Sequence, residues 1–452
     1  MNKVFLIMFV SCLLGLVAFS QDSDEMGKPD LFGPEFQKRF TASYGVLEDR
    51  EPELQELEIV LLEEIGPMVE ENPEFAKSML EGMLGDDSEA TATFNFILAN
   101  LYFNGDAIES AMEEYDLAIG KYPAFRRAWK NLGLLKVRNG DYEGGLKALV
   151  RCVELGDTSP DTYGSAAYSH LRVGNLMAAE LAYNAAIVLD PNNIEWIEGK
   201  AEAMIQGKRF ADARPLLLEL IKRNPDKAAY RMFLANIHVE LGEFIEAAQV
   251  FELIHAMGEG NGDTQLQLAN IYSVSGMYEL SVDTFLAATP KQLESHINQV
   301  MIGVKYLLDQ EEVEQSRRLF RKIDGIGDTW SSDQRTRYLL LEAGFARVAE
   351  NRELLKEKLV EALENDPLNG DVLVQLGSLY AEDENSAKAM FYFERAYGSE
   401  DYEYDALILA SQMLISENRY EDSLALLRRA SQTHSSTGLK ALMERVQAAS
   451  LQ

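Results

Sequence analysis

The sequence predicts an all-α fold built as a row of stacked helical hairpins, and three observations carry that prediction. Units beginning at Ala92, Arg126, Pro160, Ile194, Ala228, Gly262 and His296 repeat every 34 residues, and the period resumes at Thr336, Gly370 and Tyr404. The eighth residue of all ten units is small: Ala99, Gly133, Ala167, Ala201, Ala235, Ala269, Gly303, Ala343, Gly377 and Ser411. With Ala, Gly and Ser at about a quarter of usage, ten of ten would arise on the order of once in a million registers. Four units end on Pro at position 32, as Pro123, Pro191, Pro225 and Pro367. There it stops a helix, because it lacks the N–H that would continue one.

The first element, residues 1–20, reads as a signal peptide. Lys3 supplies a short positive start, Val4 to Val17 is apolar apart from Ser11, Cys12 and Gly15, and Ala18-Phe19-Ser20 offers small residues at the cleavage positions before the polar Gln21-Asp22-Ser23-Asp24-Glu25. The stretch is too short for a membrane span. Phe9-Val10-Ser11-Cys12 keeps a second reading open, a lipoprotein acylated at Cys12, against which Leu13 to Phe19 stays apolar. With cleavage after Ser20, Cys152 is the one cysteine left, so stability rests on packing rather than on a disulfide. The mature chain is expected outside the cytoplasm, periplasmic or secreted, without insertion in a membrane.

Residues 21–46 form a polar segment expected to be flexible. Residues 47–91 read as an acidic helical cap: Leu54, Leu57, Val60, Leu61, Ile65 and Met68 make a helical stripe. Glu48 to Glu89 holds fifteen acidic and two basic residues, a pattern that also suits an interaction segment.

Units one to seven then occupy 92–329, a six-residue insertion 330–335, units eight to ten 336–437, and a capping helix 438–452. Two further columns agree with position 8. Position 20 carries Ala111, Gly145, Ala179, Ala213, Ala247, Ser281, Ala389 and Ser423, with Gln315 and Leu355 departing. Position 27 carries Ala118, Cys152, Ala186, Ala288, Ala362, Ala396 and Ala430, with Leu220, Ile254 and Lys322 departing. Small residues at these slots let helix axes approach, while Tyr102, Tyr272, Tyr380, Tyr115, Tyr183, Phe251, Phe285 and Phe393 at positions 11 and 24 fill the space between. Gln315, Lys322 and the insertion predict weak stacking near residues 311–335.

Small-8, aromatic-11, small-20, aromatic-24, small-27 and Pro-32 resembles the tetratricopeptide repeat. The resemblance covers about ten units, clear in one to six and nine, degenerate in seven and eight. It implies a right-handed superhelix of helix-turn-helix units, an α-solenoid, with a groove lined by the first helix of each unit and stability summed over neighbour interfaces.

Charge bounds the ligands. Forty-two basic against 74 acidic residues give a formal −32, which repels nucleic acid and anionic headgroups and favours neutral or basic surfaces. The charge also keeps a long solenoid soluble. No catalytic set emerges: His170 and His238 fill the core slot at position 11, and no His-Glu-x-x-His, Cys-x-x-Cys or P-loop is present. No enzyme, cofactor or metal is expected. The resemblance places Arg127, Lys130, Arg138 and Arg172 in the groove of units two and three, with Glu195, Glu198 and Glu202 beside them in unit four. This bipolar strip suits a charged partner segment in one orientation. Asn236 and Asn270 occupy position 9 of units five and six, but Met232 and Leu266 replace the Lys that would complete a carboxylate clamp of the family's kind. Met232, Leu266, Val300, Val304, Leu307 and Leu308 offer an apolar floor, or else a surface for internal packing.

The expected partner is therefore a protein or peptide, with no nucleic acid. The layout of signal peptide, polar segment and repeats resembles bacterial envelope proteins, those of Ton-type transport complexes and outer-membrane assembly included. A repeat protein accessory to envelope polymer synthesis or degradation is the alternative.

Overall fold

The computed structural model describes residues 51–54, 56–86, 91–326, 330–434 and 436–451. The expected signal peptide and the polar segment 21–46 lie outside them. All regular structure among the described residues is helical, and no helix there is long and apolar enough to cross a membrane. The contacts divide the chain into two compact units, one ending at Val250 and one starting at Phe251.

In the N-terminal unit α1 (Glu56–Glu71) and α2 (Pro73–Asp86) precede the repeats. They pack on α3 (Ala92–Asn104) through Ile65, Ala76, Leu80, Phe94 and Leu98. Hairpins follow: α3 with α4 (Ile108–Lys121), α5 (Arg126–Arg138) with α6 (Tyr142–Glu154), α7 (Pro160–Arg172) with α8 (Leu176–Leu189), and α9 (Ile194–Gln206) with α10 (Phe210–Arg223). Then comes α11 (Ala228–Glu240), packed on α10, and α12 (Phe244–Ala256). The first helices touch in turn, α5 on α7 and α7 on α9.

The small columns are where the backbones meet. A Cβ on Gly145 would come within 3.0 Å of the Gly133 carbonyl oxygen, and one on Gly133 within 2.7 Å of Leu149. Ala99, Ala167, Ala201 and Ala235 are buried outright, as are Ala111, Ala179, Ala213 and Ala247 opposite them. Each hairpin turns through a left-handed residue at position 15. Gly140, Gly174 and Gly242 take it without strain, while Asp106 and Lys208 adopt it at φ 59° and 57°.

The C-terminal unit departs from the strict period. Its first hairpin pairs α13 (Gly262–Val274) with α14 (Tyr278–Leu286), a second helix of only nine residues. Pro290 halts it, and Thr289 and Gln292 form a capping box that opens the short α15 (Pro290–Ser295). The extra turn shifts unit seven by one residue, so α16 begins at Ile297 and its left-handed residue is Glu311 rather than Gln310.

This slip corrects the unbroken period expected across seven units and explains two of its misfits. The buried residue at the close approach is Ser316, whose Oγ donates to the Val304 carbonyl at 2.8 Å, not Gln315. Ile323 takes the next slot, fully buried, and leaves Lys322 exposed.

The insertion is not a loop between units. From Ser332 onward it extends α18 (Ser332–Val348) to 17 residues, started by a Ser331–Gln334 capping box. Trp330 packs on Tyr338 at 4.8 Å, and Phe320 of α17 (Val313–Asp324) stacks on Tyr338 at 4.9 Å and meets Phe345 at 5.0 Å. Hairpins α18–α19 (Arg352–Asn365), α20 (Gly370–Glu382)–α21 (Ser386–Ala396) and α22 (Glu403–Ser416)–α23 (Tyr420–Thr433) follow. α24 (Thr437–Ser450) closes the row through Leu439 and Val446.

Candidate partner-binding face

The first helices of the N-terminal unit present the residues singled out by sequence, and the structure gives each a different setting. Arg127, on the first turn of α5, lies 5.3 Å over the Phe96 ring. That ring is itself wedged against Phe125 at 4.9 Å and Tyr115 at 5.7 Å. The carboxylate of Glu51, 76 residues earlier, faces the Nε and Nη2 edge of the guanidinium as a fork.

Lys130 donates from Nζ to Ser159 Oγ at 2.8 Å. Ser159 and Thr162 both donate to Asp157. Burial pushes the Asp157 carboxyl up, but those hydrogen bonds and the Lys130 charge outweigh it and hold the group below the usual carboxylate range. Arg138 lies 3.6 Å from Asp106 and over the Phe103 ring at 5.5 Å. Arg172 lies over Tyr142 at 5.7 Å. The four cations therefore form a row of seats, three of them on aromatic rings, rather than one cluster.

The acidic side is more deeply set than the spacing implied. Glu195 is half-buried, whereas Glu198 and Glu202 are only 6% and 2% exposed. Glu198 accepts from the Tyr230 hydroxyl and from Lys227 Nζ at 2.7 Å. Glu202 Oε1 accepts from Gln206 Nε2 at 2.9 Å. The Tyr230 contact ties unit four to unit five and the Gln206 contact stays within α9, so the expected open acidic patch is largely buried in the array. Burial, then the Glu198 carboxylate, pushes the Tyr230 phenol well up, and burial together with Glu202 does the same to Tyr183.

Asn236 is half-buried, and Asn270, in the C-terminal unit, is buried. The expected apolar floor does not survive either. Leu266, Val300, Val304, Leu307 and Leu308 belong to one packed core, and Met232 is half-buried.

Two features were not legible beforehand. Arg231 is 8% exposed on α11, and its Nη1 has no hydrogen-bond partner among the described residues. The C-terminal unit holds a cleft of about 460 Å³ between α16, α18 and α20, with Ile302, Leu308, Leu340 and Leu341 as floor and Lys305, Arg337, Arg347 and Asp371 at the rim. Two of its three helices, α16 and α18, belong to units seven and eight, where the repeat signal is weakest.

Among the described residues no three His, Cys, Asp or Glu are grouped to hold a metal ion. Cys152 is buried, and burial, then the Asp157 charge, pushes its thiol up to about 12. Burial alone holds the His170 imidazole below its ordinary range.

Two stretches match tetratricopeptide-repeat family models, residues 199–261 and 370–400. Those two stretches are similar to tetratricopeptide repeats. A tetratricopeptide repeat-containing protein of Caenorhabditis elegans, trd-1, is 25% identical over 140 residues, 31% of this chain and 18% of that relative. The chain thus spans under a fifth of that protein's length.

Solved structures with a similar tetratricopeptide architecture include YrrB, described as having an unusual peptide-binding site, at 13% identity and TM-score 0.36, over 45% of this chain and 96% of that one. A repeat protein of Parabacteroides merdae matches at 16% identity and TM-score 0.37, over 55% and 98%. A Naa15/Naa10 complex bound to HypK matches at 12% and 0.38, over 79% and 66%. Tetratricopeptide arrays are in general protein-interaction scaffolds, because their stacked first helices expose an extended surface.

Proposed function

We propose that this chain is a non-enzymatic scaffold of the cell envelope that grips a partner protein by acidic groups, on the first-helix face of its N-terminal unit. The observation that carries the reading is the Arg127 seat: a guanidinium 5.3 Å over an aromatic ring and already paired with a carboxylate. Arg138 and Arg172 repeat the ring-backed arrangement further along. Ring-backed guanidinium groups are oriented in advance and bind carboxylates in a set geometry. The envelope location is supported by the first twenty residues alone. Mass spectrometry of the exported protein is expected to find Gln21 at the N-terminus, and an acylated Cys12 would replace that reading with a lipoprotein.

The test of partner binding is charge reversal. Arg127→Glu, Lys130→Glu and Arg138→Glu together are expected to slow association and weaken capture of the envelope partner by tenfold or more. The effect should be larger at low salt, since the long-range attraction between this row of cations and an acidic partner is screened beyond about 8 Å at physiological ionic strength. The helical circular dichroism should stay intact, because the three side chains lie off the small columns. Unchanged capture and unchanged salt dependence would discard the basic face, and the C-terminal cleft would become the candidate.

A further inference from the structure

The occupant of the Arg127 seat comes from the chain itself. The Glu51 side chain is 6% exposed and the Arg127 side chain 13%, so this ion pair is nearly closed to water. We infer that the Phe96–Arg127 seat is a binding site for an acidic peptide segment, and that Glu51-Pro52-Glu53-Leu54 fills it in cis, in competition with a partner's acidic segment. The inference rests on the scaffold reading above and adds to it the identity of a resident competitor.

Three observations separate this contact from ordinary packing of the N-terminal cap. First, the cap is held elsewhere: Ile65, Ala76 and Leu80 of α1 and α2 pack into α3 with no help from Glu51. Second, Glu51 to Leu54 is outside any helix, with Glu53 exposed and Pro52 and Leu54 only half-buried. A non-helical segment that seats one acidic side chain and is only partly covered is held as a replaceable peptide is, not as a core element is. Third, the seat is built without the segment. Phe125 and Tyr115 fix the Phe96 ring, and Arg127 is on the opening turn of α5.

The short tether explains why such a site would stay filled. Only a few residues separate Glu51 from the start of α1 at Glu56, which gives the segment a high effective concentration at its seat. A free ligand then sees an affinity reduced by the fraction of molecules whose seat is open. Closure of nine molecules in ten would weaken it tenfold by that arithmetic. A partner with several acidic groups, engaging Arg138 and Arg172 as well, could displace the resident where a single carboxylate could not.

The experiment uses the full mature chain and a labelled synthetic peptide spanning residues 48–56, added in trans and followed by fluorescence anisotropy. Wild type is expected to bind it weakly, Glu51→Gln about tenfold more tightly, and Glu51→Gln combined with Arg127→Ala no more tightly than wild type. Equal binding by wild type and Glu51→Gln would overturn the inference, as would tight binding that survives Arg127→Ala. Melting curves of the three proteins guard against a folding defect. A Glu51→Gln chain that melts far below wild type would show that the contact is structural and would also overturn it. The outcome is independent of the partner reading. If the peptide behaves as expected but charge reversal leaves envelope capture unchanged, the seat stands and the scaffold reading falls.

Discussion

Gly199→Ala is expected to destabilise the N-terminal unit, although alanine is the better helix former. In an exposed helix interior, replacing Gly by Ala gains about 1 kcal/mol. At Gly199 the new Cβ would lie 2.2 Å from the Tyr183 ring carbon that bears the hydroxyl, and Tyr183 is fully buried with no room to retreat. Overpacking of this kind costs about 1–3 kcal/mol, which exceeds the propensity gain. Gly120→Ala in α4 is the matched control. Its Cβ would meet nothing within 4 Å, so only the propensity term remains and the melting temperature should rise. Opposite signs for the two substitutions, read by denaturant titration, are the expected result. A stabilised Gly199→Ala would mean that the α8–α9 interface is looser than described.

The second large effect is alkaline unfolding. Tyr168, Tyr183 and Tyr230 are 4%, 0% and 1% exposed. Burial first pushes all three phenols above their ordinary range, followed by Tyr142 for Tyr168, Glu202 for Tyr183 and Glu198 for Tyr230. The sign follows from proton counting. Above about pH 10 an unfolded tyrosine loses its proton while the folded one keeps it, so the unfolded state binds fewer protons and stability falls as pH rises. Each such group contributes at most about 1.4 kcal/mol per pH unit, so the three together approach 4 kcal/mol per unit. A cooperative component of the tyrosinate absorbance should therefore accompany the loss of helical circular dichroism above pH 10, on top of the gradual titration of the more exposed tyrosines. Tyr183→Phe should reduce the steepness by about one proton. Loss of helix with no accompanying step in tyrosinate signal, above the gradual titration of the more exposed tyrosines, would contradict the burial.

Unit seven shows where a sequence period misleads. Gln315 and Lys322 looked like failures of the repeat, and they predicted weak stacking near residues 311–335. In the structure the residues beside them, Ser316 and Ile323, fill the required slots. The cause is the short α15, which adds one residue ahead of α16. Trp330 also packs on Tyr338, at 4.8 Å. A helix start set by Thr289-Pro290 is legible as a cap, but its effect on register depends on how the following helix docks.

The helical class, most hairpin boundaries and the small columns were written in the sequence, because each is a local rule repeated along the row. Pro at position 32, small residues at 8 and 20 and turn residues at 15 act within one hairpin and its neighbour, so spacing alone recovers them. The fate of the charged side chains was decided only by tertiary structure. Glu195, Glu198 and Glu202 share one helical face, yet only the approach of α11 brings Lys227 and Tyr230 onto Glu198 and turns a surface carboxylate into a buried joint. Leu266, Val300 and Val304 fit an exposed floor by period and belong to a core by packing. Arg127 was placed on the binding face by its position, but its partner stands 76 residues away. No periodicity links two residues that only a chain folding back can bring together.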